Sequence, residues 1–147
     1  MPVEFRPPSK RMLLLEPDTL LRHTVALTAR SMNLVDVVEA GTAGIAARML
    51  DEKTFHGAIL AVDLDPANGK AYDLELLDRV RAGATNSDPA LPVAVMAHQC
   101  NVDLLASLQA RKVNKVIIKP FRVRVLLDAI AELDRLANDL PERGARR

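Results

Sequence analysis

The side chains able to do chemistry gather at the ends of short apolar runs. Glu16-Pro17-Asp18 follows Met12–Leu15, and Asp63 follows Ala58–Val62. His98 comes two residues after Met96, and Lys119 closes a run that begins at Lys115. Carboxylates suit hard cations and can act as nucleophiles, and an ammonium offsets anionic charge. Other chemistries find little support. His23, His56 and His98 are too dispersed to propose a metal site. Ser31, Ser87 and Ser107 have no neighbouring base of the kind nucleophilic catalysis needs. No G-x-G-x-x-G and no Walker sequence is present. A small-molecule-binding reading, with a nucleotide or flavin at the strand ends, therefore rests on fold analogy alone.

These residues must be positioned by alternating strands and helices. The apolar runs Met12–Leu15, Leu34–Val38, Ala58–Val62, Pro92–Met96 and Lys115–Lys119 read as five strands. The third is apolar throughout, as a central parallel strand covered on both faces should be. Five helical patterns intervene. Leu21, Val25, Leu27 and Met32 mark the first, with Asp18 as its cap and Asn33 at its stop. Thr42 opens the second, with Ile45, Met49 and Leu50 on one face. Leu74, Leu77 and Val80 mark the third, and Val102, Leu105 and Leu108 the fourth. Val123, Leu126, Leu127, Ile130 and Leu133 form a stripe on a fifth helix over 123–136. The alternation predicts a doubly wound parallel α/β sheet, which places its chemistry at the carboxyl ends of the strands.

Composition narrows the class. A chain of 147 residues fits one domain, and 49% apolar residues suffice for a core. A net charge of +1 gives no nucleic-acid footprint. No apolar run reaches the ~18–20 residues needed to span a bilayer. The single cysteine, Cys100, excludes a disulfide framework within the chain. The expectation is a cytoplasmic protein with no membrane segment, folded over 11–136. Residues 1–10, with three prolines, read as a flexible lead-in, and 137–147 as a polar basic tail.

Lys119-Pro120-Phe121 after an apolar strand, Leu13-Leu14-Leu15-Glu16 before the first helix, Glu39-Ala40-Gly41 after the second strand and Pro92–Met96 occur in an order and spacing that resemble a response-regulator receiver domain. The resemblance covers about residues 11–136 and implies a flavodoxin-like five-stranded fold, (βα)5. It also implies four functional parts: an acidic pair after the first strand for a divalent cation, an aspartate ending the third strand as phosphoryl acceptor, a Ser or Thr after the fourth, and a lysine before the proline.

Carried over one residue at a time, the pattern is depleted. Lys119 matches, and Glu16 matches the first acid. Pro17 takes the second acid's place, with Asp18 one residue on as a possible substitute or simply a helix cap. Counting back from Gly69 and forward from Glu16 puts Ala61 at the acceptor position. Ala97 stands at the hydroxyl position, and Val116 where the family often has Tyr or Phe.

The resemblance thus implies a degenerate pocket of Glu16, Asp18, Ala61, Asp63, Ala97 and Lys119. It implies a pseudo-receiver that binds proteins and is not an enzyme. Mg²⁺ is not expected, Glu16 and Asp63 being weak candidate ligands. Lys119 is expected to pair with Glu16 or Asp63. The alternative is a phosphorylatable regulator with Asp63 as an atypical acceptor, reached if the third strand is bulged or slipped. The expected partner face carries Arg111, Lys112, Lys115, Val116, Arg122 and Arg124. Expected partners are a histidine kinase, a phosphotransfer protein or another receiver, with a homodimer possible through the last helix.

Overall fold

A computed structural model describes residues 10–63 and 72–140. The chain alternates β1 (Arg11–Leu15), α1 (Thr19–Ser31), β2 (Asp36–Ala40), α2 (Ala43–Glu52), β3 (Gly57–Ala61), α3 (Glu75–Arg81), β4 (Val93–Ala97), α4 (Val102–Ala110), β5 (Lys115–Ile118) and α5 (Val123–Asn138). The strands are parallel in the order β2-β1-β3-β4-β5. Strand alternation sorts the core into two layers. Met12, Leu14, Ile59, Ala94, Met96 and Ile117 pack against α1 and α5. Leu13, Leu15, Ala58, Leu60, Val93 and Val95 pack against α2, α3 and α4. The doubly wound α/β expectation holds, and both central strands β3 and β4 are buried at every position.

Helix starts follow their capping residues. The Asp18 carboxylate accepts from the Leu21 N–H, the Thr42 hydroxyl from Ile45, and Asn101 from Leu104. The second strand begins two residues later than Leu34. Asn33 takes a left-handed φ of 58°, and the Leu34 N–H closes the helix end on the Ala29 carbonyl. Sheet pairing starts only when Asp36 N–H donates to Lys10. The third strand starts at Gly57, while Val62 N–H still bonds the Met96 carbonyl past its end.

Two apolar patterns need correction. On α4 the residues turned inward are Leu104 and Leu108, four apart on one face. Val102 and Leu105 are 81% and 41% exposed. On α5, Leu126, Ile130 and Leu133 of the stripe are buried in the core together with Ala129, which leaves only the partly buried Val123 and Leu127 of the stripe for the homodimer expected through it. That helix also runs to Asn138, two residues past the expected boundary. The lead-in before Lys10, the loop residues 64–71 with Gly69, and the tail from 141 lie outside the described residues.

Candidate functional site at the carboxyl edge of the sheet

Each strand ends level with its neighbour. Leu15 pairs with Leu60, Ala61 with Met96, and Ala97 with Ile118. Glu16, Asp63, His98 and Lys119 therefore emerge together at one edge. With Pro17, Asp18, Leu21, Pro120 and Phe121 they line an open cleft of about 430 Å³.

Glu16 is buried, and its position is fixed from three sides. Its N–H donates to the Ala40 carbonyl at 3.1 Å. Its Oε2 accepts from the Asp18 N–H at 2.8 Å. Its carbonyl accepts from Arg22 Nη1 at 2.7 Å, six residues along the chain in the first turn of α1. Arg22 is in turn held by Glu39, which also meets His23. The second oxygen, Oε1, lies 2.7 Å from Lys119 Nζ. That contact is an ion pair outside hydrogen-bond geometry, so Oε1 has no hydrogen-bond donor among the described residues. Both partners are shielded, with side chains 3% and 12% exposed.

Asp63 joins this pair from β3. Its Oδ2 accepts from the His98 N–H at 2.8 Å, and the His98 ring Nε2 lies 3.5 Å from the same oxygen. Its Oδ1 is 4.0 Å from Lys119 Nζ. Asp63 reaches the lysine with β3 in regular register, so no bulge or slip is involved. Lys119 is itself seated by its N–H, which donates to the Ala97 carbonyl at 2.8 Å.

The remaining pocket positions carry no reactive group. Ala61 and Ala97 are buried methyls. Pro17 is exposed and offers no ligand. Asp18 caps α1 through Oδ1. A Mg²⁺ site needs about six oxygen ligands. The described residues hold no cluster of three or more His, Cys, Asp or Glu placed to bind a metal. Glu16 and Asp63, the two carboxylates nearest such a site, both face the Lys119 ammonium. Among the described residues, the donor set therefore does not make up the cation site that the resemblance implies.

The basic residues of the expected partner face are not equivalent. Arg111 is ion-paired with Asp78, and that hydrogen bond raises its guanidinium pKa above the usual value. Lys112 has a left-handed φ of 58°, and its carbonyl, like that of Arg111, accepts from the half-buried Arg81. Lys115 and Val116 are partly buried. Arg122 and Arg124 are exposed, beside the exposed apolar residues Ile118 and Val125. The inter-loop clamp made by Arg81 was not legible in the sequence, because its acceptors are main-chain carbonyls of Pro89, Leu91, Arg111 and Lys112. The His98 amide escaped sequence reading for the same reason.

No protein-family model matches the chain, and no curated protein matches its sequence. Solved structures do. A CheY-like response regulator receiver domain protein from Methanospirillum hungatei JF-1 superposes with a TM-score of 0.72 at 19% identity, over 88% of this chain and 97% of that one. The signal receiver domain of a putative Luxo repressor protein from Vibrio parahaemolyticus gives 0.71 at 19% identity, over 88% and 93%. The non-phosphorylated HemR receiver domain from Leptospira biflexa gives 0.71 at 18%, over 90% and 97%. At the level of fold, these likenesses and the strand order make the described residues a CheY-like, flavodoxin-like domain of five parallel strands and five helices.

Proposed function

We propose that this chain is a receiver-like signalling module that acts by binding other proteins without phosphoryl transfer. The observation carrying the reading is the fate of Lys119. Its ammonium, which in a working pocket would meet an acceptor aspartate and its phosphoryl group, is neutralised by Glu16, while the acceptor position is the methyl of Ala61. Phosphoryl transfer needs a nucleophile, a cation and donors aimed at the transferred oxygens. On this reading position 61 offers no nucleophile and position 97 no hydroxyl, and the nearby carboxylates are turned to the lysine. Solved proteins of this fold include a response regulator receiver domain protein and a signal receiver domain of two-component signal transduction, which supports a histidine kinase, a phosphotransfer protein or another receiver as the partner class. The exposed residues Val102, Leu105, Ile118 and Val125, flanked by Lys112, Arg122 and Arg124, are the face assigned to that contact.

A second reading takes Asp63 as an unorthodox acceptor, and its 4.0 Å approach to Lys119 favours it. Against it, Asp63 itself takes up the His98 N–H, a donor that an incoming phosphoryl group would need. Intact mass after incubation with acetyl phosphate and Mg²⁺ separates the two. The expected spectrum is unmodified protein; a labile adduct abolished by Asp63→Asn would establish the second reading.

A further inference from the structure

We infer that the Asp63 carboxylate is a built-in anion that takes the place of a phosphoryl group, latching the end of β4 to the end of β5 and holding the loop into α4 in one arrangement. The inference rests on the pseudo-receiver reading and deepens it. In the resembling family the phosphoryl group sits between the residue after β4 and the lysine after β5. Asp63 stands between those two elements here. One oxygen takes the His98 N–H at 2.8 Å, and the other is 4.0 Å from the Lys119 ammonium. A carboxylate presents two oxygens, so one side chain meets both at once, and a hydrogen bond to an ionised acceptor is among the stronger kinds.

Strand geometry explains why this residue serves. Side chains two apart lie on one face of a strand. Asp63 thus continues the face of Ala61, the acceptor position, one step beyond the strand end. The side chain of Asp63 is only 15% exposed, so the contact is poorly screened.

The latch has a defined lever arm. Four residues, 98–101, separate β4 from α4. Asp63 fixes the first through His98, and Asn101 fixes the last by accepting from the Leu104 N–H at 2.8 Å. With both ends tied, the position of α4 is set, and with it the exposed side chains of Val102 and Leu105. A receiver that depends on phosphorylation would gain such a tie only while phosphorylated. This chain carries it permanently.

The test is amide NMR with hydrogen exchange on the full chain, comparing wild type with Asp63→Ala and Asp63→Asn. In Asp63→Ala the His98 amide is expected to lose protection by about tenfold or more. Shifts should spread over 97–105 and Lys119 while β1 and β2 stay unchanged. Asp63→Asn keeps an oxygen for the His98 N–H, so protection there should largely survive while the Lys119 ammonium signal moves. Unchanged 97–105 amides in Asp63→Ala would overturn the latch, as would equal loss of protection in both variants. Acetyl phosphate treatment separates this from the underlying reading. An adduct that survives Asp63→Asn overturns the pseudo-receiver reading alone, and one abolished by it overturns both.

Discussion

Lys119 Nζ meets Glu16 Oε1 at 2.7 Å although the two residues extend from β5 and β1, with β3 and β4 between them. Three strand spacings amount to about 14 Å. Two long side chains close that distance past the intervening strand ends, where β3 presents only the buried methyl of Ala61 on their face of the sheet.

The pair should behave as a coupled buried unit. Glu16→Gln leaves the lysine with only the more distant Asp63, and Lys119→Met leaves a buried carboxylate. Each is expected to cost about 3 kcal/mol in urea unfolding. The double variant should cost clearly less than the sum, because neither partner is then left unpaired. Additive losses would show that the two do not interact.

Restoring an acid at the acceptor position should not restore function. Ala61→Asp places a third carboxylate level with Glu16 and close to Asp63. It is expected to lower stability by about 1–3 kcal/mol and to displace the Lys119 ammonium signal. With Pro17 and Ala97 still in place, intact mass after acetyl phosphate treatment should remain that of the unmodified chain. Ready phosphorylation of this single variant would mean that the cation site and hydroxyl are dispensable.

Away from the site, Ser87 is fully buried, and its hydroxyl accepts from the Phe55 N–H at 2.8 Å just before β3. Ser87→Ala strands that donor and should cost about 1–3 kcal/mol. The readout is a lowered denaturation midpoint at unchanged m-value; an unchanged midpoint refutes it.

Stability should also fall in mild acid through His56. Although the residue is largely exposed, partial desolvation lowers its imidazole pKa below the ordinary value of 6.5, and the neighbouring Lys10 charge lowers it further. Its Nδ1 accepts the Arg11 N–H, a role lost on protonation. The folded pKa lies below the unfolded one, so the contribution is complete above about pH 6.5 and is lost as pH drops through the folded value. Thermal midpoints between pH 8 and 5 should therefore decline less in His56→Gln. Parallel curves for the two proteins would exclude His56 as the source.

Periodicity and caps were enough to read the (βα)5 order, because alternating apolar runs are local signals. Asp18, Thr42 and Asn101 start helices through bonds spanning three residues. That Ala61, Ala97 and Pro17 bring no carboxylate or hydroxyl to the strand ends follows from residue type alone. Local pattern misled where the facing surface decides. Spacing alone does not distinguish Leu105 from Leu104, and only the sheet beneath α4 selects Leu104 and Leu108 for the core. Residue types also left open which acid pairs with Lys119. The register at the strand ends decided that, bringing Glu16 to 2.7 Å and Asp63 to 4.0 Å. It also aimed Asp63 at the amide of His98, a donor present in every non-proline residue and therefore invisible to a reading of side chains.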